Sequence, residues 1–134
     1  MKLELQVPVP KANLGNARFG AWQVRERKKK AYWRELDLIR GSHLVPRGWP
    51  GGVTPELVEL RLHARLWNTM DPDGLVSRAK WMLDWLHRRG YIVDDKPKHL
   101  RWKDMPTQVV DRKAPGWFHV TLTVVTGTTT QGAG

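Results

Sequence analysis

The chain has 134 residues, with 23 Lys+Arg against 13 Asp+Glu, a formal net charge of +10 and no Cys. That length suits one domain, and the lack of Cys excludes a disulfide framework, a thiolate zinc site and a cysteine nucleophile. No apolar run approaches the roughly 20 residues of a membrane span and the N-terminus does not read as a signal peptide, so we expect a cytoplasmic protein with a polyanionic partner, nucleic acid first.

In chain order, Leu3, Leu5 and Val7 alternate with polar residues up to Pro8, which predicts a short strand. Pro8 and Pro10 end it, and residues 11–20 read as a Gly/Asn-rich loop. Residues 21–39 have no breaker and many helix formers, although Lys28 and Glu35 interrupt the stripe Ala21, Val24, Ala31, Leu38. A helix with a partly buried face is expected there. Residues 40–55 are rich in Gly and Pro and read as a long loop. Residues 57–67 then alternate, with Leu60, Leu62, Ala64 and Leu66 opposite Glu59, Arg61, His63, Arg65 and Trp67, as in a half-buried strand.

The next segment carries one apolar stripe of Leu75, Val76, Ala79, Met82, Leu83 and Leu86, the pattern of an amphipathic helix. Arg88 and Arg89 suit its C-terminal dipole and Gly90 its C′ position. Tyr91 to Val93 reads as a short strand leading into Asp94-Asp95. Residues 98–103 alternate again, residues 104–116 are broken by Pro, and residues 117–125 form a last strand. The order β-α-β-α-β-β predicts a single mixed sheet with two main helices, class α/β bordering on α+β. We expect one domain over residues 1–125 and a disordered tail over 126–134.

Five of the 13 acidic residues lie between Asp71 and Asp95: Asp71, Asp73, Asp84, Asp94 and Asp95. A basic protein that gathers carboxylates in one stretch has the charge layout of a metal-dependent nuclease. Pro72 biases Asp71 toward extended geometry, and an extended Asp71-Pro72-Asp73 would aim both carboxylates at one point. Such a pair suits Mg²⁺, which accepts one or two carboxylates and keeps waters. Asp73 or Asp71 equally suits the N-cap of the following helix. Asp94-Asp95 also reads as a solvated turn, and Lys80 with Asp84 as an exposed ion pair one helical turn apart. The five His show no metal-ligand spacing.

Taken together, the string DPDGLVSRAKWMLDWLHRRGYIVDDKPKH resembles the signature of the RusA family of Holliday junction resolvases, common in phages and prophages. That signature is D-x-D, usually followed by Asn, a helix with Lys and Asp four apart, then a Gly and a D-D pair. The resemblance covers roughly residues 60–125. It implies that Asp71, Asp73 and Asp95 are metal-binding catalytic carboxylates, with Asp94 as an additional ligand, and that Lys80 is a catalytic lysine. It implies a homodimer using Mg²⁺, with Mn²⁺ as a substitute, to nick four-way DNA junctions in recombination and repair, in the host cytoplasm if phage-encoded. Arg25, Arg27, Lys28, Lys29, Lys30, Arg101 and Lys103 are the expected phosphate-binding residues. Two departures stand out. Gly74 replaces the usual Asn, and the interval from D-x-D to Lys80 is longer by about one helical turn. The alternative is a non-catalytic basic DNA-binding module of the same fold.

Overall fold

Alternating burial along three long strands builds the sheet. In the computed structural model, which describes residues 1–10, 21–113 and 115–125, β1 (Lys2–Pro8) pairs antiparallel with β5 (Trp117–Val124). β5 in turn pairs antiparallel with β2 (Val58–Leu66). The other edge of β2 is shared by two short parallel strands, β3 (Leu100–Trp102) beside Val58–Leu60 and β4 (Thr107–Val110) beside His63–Leu66. The result is one mixed sheet of five strands. Leu5, Val7, Leu60, Leu62, Ala64, Leu66, Phe118, Val120 and Leu122 bury one face. Their sequence neighbours Glu59, Arg61, His63 and Arg65 fall on the other face, as period-two patterning requires.

The buried face is covered by two main helices, α1 (Ala21–Ile39) and a second that is divided at Ala79 into α2 (Pro72–Arg78) and α3 (Lys80–Arg88). The mixed-sheet, two-helix architecture matches the expectation. The second helix ends as its sequence predicts. Gly90 takes φ +80°, Tyr91 N–H donates to Leu86 O and Gly90 N–H to His87 O, the paired bonds of a Schellman cap.

Four local expectations need correction. The buried stripe of α1 is not Val24, Ala31 and Leu38, which are exposed, but Tyr32 and Leu36 flanked by Trp33 and Ile39. Aromatic area outweighs small apolar side chains in choosing the face that packs. Tyr91 to Val93 is not a strand. Tyr91 and Ile92 are buried consecutively, and Tyr91 stacks on Trp85 at 5.4 Å and donates its hydroxyl to Pro46 O. The segment from 104 to 116 holds a strand, β4, that its prolines mask in the sequence. Asp73 is not extended, because it lies inside the first turn of α2. The predicted loop over 11–20 and the predicted tail lie outside the described residues.

Three polar contacts fix how the helices sit. Tyr32 Oη donates to Pro8 O at 2.6 Å, joining α1 to β1. Trp33 Nε1 donates to Trp81 O at 2.9 Å, next to Lys80 on α3. Asp37 accepts from Trp85 Nε1 at 2.9 Å and from Arg89 Nε and Nη2 at 2.8 and 2.6 Å. The Arg89 guanidinium, more than any other group, holds the Asp37 carboxyl below the usual carboxylate range. No helix among the described residues is long and apolar enough to cross a membrane.

Candidate active site

The D-x-D segment sits where β2 hands the chain to α2. Asp71 takes extended geometry (φ −70°, ψ 161°), as a residue before proline prefers, and Pro72 occupies the first helical turn. Asp71 is the N-cap, its Oδ1 accepting from Gly74 N–H at 2.7 Å. Asp73 lies in the first turn, where a carboxylate meets the positive end of the helix dipole. Both carboxylates are exposed.

A Cβ at Gly74 would lie 2.7 Å from Asp71 Oδ1 and 3.1 Å from Met70 Cγ, so a side chain there would require the flexible Asp71 carboxylate to shift. The residue just before the cap is clamped from β4, the strand beside the end of β2. Met70 N–H donates to Gln108 Oε1 at 2.9 Å, and Gln108 Nε2 donates back to Met70 O. Gln108 on β4 therefore positions the D-x-D turn. Sequence reasoning missed it, although the β-branched run Thr107, Val109, Val110 was the available signal.

Lys80 opens α3 and reaches across the chain. Its Nζ lies 3.9 Å from Asp95 Oδ2, both side chains well exposed at 64% and 40%. No salt bridge joins Lys80 to Asp84 among the described residues, so the partner of Lys80 is the D-D pair and not its own helix. Asp94 accepts from Lys96 N–H at 3.2 Å. Its carboxyl is held below the usual range first by a hydrogen bond with the Asp95 side chain, against desolvation, and then by neighbouring backbone N–H groups.

The donor chemistry fits Mg²⁺ in kind, since all four Asp offer hard oxygens to solvent. The arrangement implied by the resemblance is not gathered: among the described residues, no group of three or more His, Asp or Glu converges on one point. Lys80 and Asp95 are together, and Asp71 and Asp73 flank Pro72.

The expected phosphate binders fall into two sets. Arg25, Arg27, Lys28 and Lys30 are exposed along α1, whereas Lys29 pairs with Glu26 at 2.9 Å and lies 5.1 Å from the Trp33 ring centre. Arg101 and Lys103 pair with Glu59, at 3.4 and 3.6 Å, on the sheet face that the helices leave open. They do not form one patch with α1. No protein-family model matches the chain, and no curated protein matches it at a significant level.

The cap and ligand roles of Asp71 separate by mutation. Asp71→Ala is expected to cost about 1 kcal/mol of stability and Asp71→Asn only a few tenths, because Asn caps about as well as Asp. If Asp71 also binds metal, both variants lose Mg²⁺-dependent cleavage despite their different melting temperatures. A fully active Asp71→Asn variant would leave Asp71 a cap and nothing more.

Proposed function

We propose that the chain is a metal-dependent endonuclease acting on branched DNA, after the manner of the Holliday junction resolvases its sequence resembles. The observation that carries this reading is the 3.9 Å approach of Lys80 to Asp95. These residues lie at opposite ends of the segment formed by α3 and the turn after it, come together in space, and both stand at positions where the resemblance implies catalytic groups. An exposed ion pair of this kind contributes little to stability, which leaves it available for chemistry.

In this reading Asp71, Asp73 and Asp95 would hold Mg²⁺ or Mn²⁺, with Asp94 alongside. Once bound, the ion supplies an activated water at neutral pH and charge neutralisation at the attacked phosphate. Asp71 keeps Oδ2 for this role, since Oδ1 serves the cap. Lys80 directs its ammonium at the negative charge that develops on the phosphate. A four-way junction is two-fold symmetric, so paired nicks call for a homodimer with two equivalent sites. The cations of α1 supply sequence-independent phosphate contacts, and Arg101 with Lys103 a second set on the open face. The setting, if the chain is phage-encoded, is recombination and repair of phage DNA in the host cytoplasm.

A non-catalytic basic DNA-binding module is the second reading, favoured by the capping role of Asp71 and by the lack of a converged three-carboxylate group among the described residues. A labelled four-way junction incubated with and without Mg²⁺ decides between the two. Paired, Mg²⁺-dependent nicks are expected. Junction binding that produces no nicks at up to about 10 mM Mg²⁺, the range in which a hydrated carboxylate site fills, would favour the module.

A further inference from the structure

We propose that the cleft between the C-terminal ends of α1 and α3 is a phosphate-binding site. It measures about 380 Å³ and is bordered by the glycine-rich loop that runs from Arg47 to Thr54. Three arginines line it, Arg40, Arg47 and Arg89, and no acidic residue is among its lining residues. Asp37 balances the charge of Arg89, whereas Arg40 and Arg47 form no salt bridge among the described residues, so an anion in the cleft would offset their mutual repulsion.

Two of the three are already oriented. Arg40 donates through Nε and Nη2 to Arg47 O, at 3.1 and 2.7 Å, and lies over the Tyr91 ring. Arg89 spends Nε and Nη2 on Asp37. A guanidinium carries five N–H donors in a rigid fork, so each keeps its Nη1 edge for a ligand. Fixed forks of this kind match the oxygens of a phosphate and lose little entropy on binding it.

Arg40 and Arg89 also meet the negative ends of α1 and α3, which would account for those two alone. Arg47 has no such account. It is exposed on the loop, lies with its Nε, Cζ and Cγ against Gly41, and makes no side-chain hydrogen bond among the described residues. Gly48, Gly52 and Gly90 put bare backbone on the wall, where an anion can approach closely. Gly51 and Gly52, at φ +84° and +73°, hold a turn that other residues would strain. Thr54 Oγ1 donates to Gly90 O at 2.7 Å and ties the loop to the end of α3.

The ligand is a phosphate group, supplied by a DNA backbone or as a free anion. The site involves none of the Asp residues proposed to bind metal, and its test runs in EDTA, so its failure is distinct from failure of the nuclease reading. In one arm, inorganic phosphate is titrated at constant ionic strength against chloride, following the amide signals of Gly48, Gly52, Thr54 and Gly90 by NMR. In the other, binding to a four-way junction is measured across a salt series.

We expect the four amides to shift saturably with phosphate alone. Arg47→Ala should weaken that binding about tenfold, the scale of one charge-assisted contact. If DNA supplies the phosphate, the same variant makes the log-affinity against log-salt slope shallower by about 1. An unchanged slope with lost phosphate binding assigns a free phosphate. Because Arg47 is exposed, an unaltered melting temperature checks that the variant is folded. Amides that ignore phosphate, together with wild-type junction affinity and slope in Arg47→Ala, would overturn the proposal.

Discussion

Asp95→Asn is expected to lower Mg²⁺-dependent junction cleavage by about two to three orders of magnitude, the usual effect of removing one group that acts on transition-state charge. The variant removes a proposed metal ligand and, in the same step, the partner of Lys80 at 3.9 Å. Junction affinity in EDTA should hold or rise, because one negative charge leaves the neighbourhood of the DNA phosphates. Stability should change by no more than about 1 kcal/mol, since both side chains are exposed and such pairs are worth little. Single-turnover cleavage of a labelled junction, a gel shift in EDTA and a thermal melt read these three quantities. Wild-type cleavage by the variant would remove Asp95 from the site. A large loss of stability would make it a structural residue instead.

Trp85→Ala should be the most destabilising single change, at roughly 3–5 kcal/mol, the range for deleting a large aromatic from a core. Trp85 is fully buried, stacks on Tyr91 at 5.4 Å and donates Nε1 to Asp37 at 2.9 Å, so it joins α3 to both α1 and the chain that follows. Trp85→Phe keeps a ring but loses the N–H, and should cost about 1–2 kcal/mol, near the value of a hydrogen bond to a charged group. Urea unfolding of both variants measures the difference through the midpoint at constant slope. A cost below about 1 kcal/mol for Trp85→Ala would mean that the α1–α3 contact does not depend on it.

The same contact carries a pH signature. The folded-state carboxyl of Asp37 lies below its unfolded value, chiefly because Arg89 bonds its charged form. Its contribution is therefore present above the unfolded pKa of about 3.9 and is lost as pH falls through the folded value.

Where burial alternates with backbone period, the sequence is a good guide. Leu60, Leu62, Ala64 and Leu66 are buried as their alternation predicts, and Gly90 caps α3 as its position after Arg88 and Arg89 predicts. Both are local properties, a half-covered strand and a left-handed turn that favours glycine, so a short window of residues records them. The D-x-D turn was half legible. Proline fixed the extended geometry of Asp71, yet helix initiation at Pro72 took Asp73 out of the extended run.

Composition and periodicity by themselves determined the basic charge, the two main helices, the mixed sheet and the concentration of carboxylates between Asp71 and Asp95. Only the tertiary structure decided that Lys80 meets Asp95 rather than Asp84, that Gln108 clamps Met70, and that the expected phosphate binders divide between α1 and the open sheet face. The reason is the range of the forces involved. Periodicity reports whether a side chain meets core or water within its own element. Pairing across the sheet and between α3 and the D-D segment depends on registers set by residues tens of positions apart, and no local pattern encodes those distances.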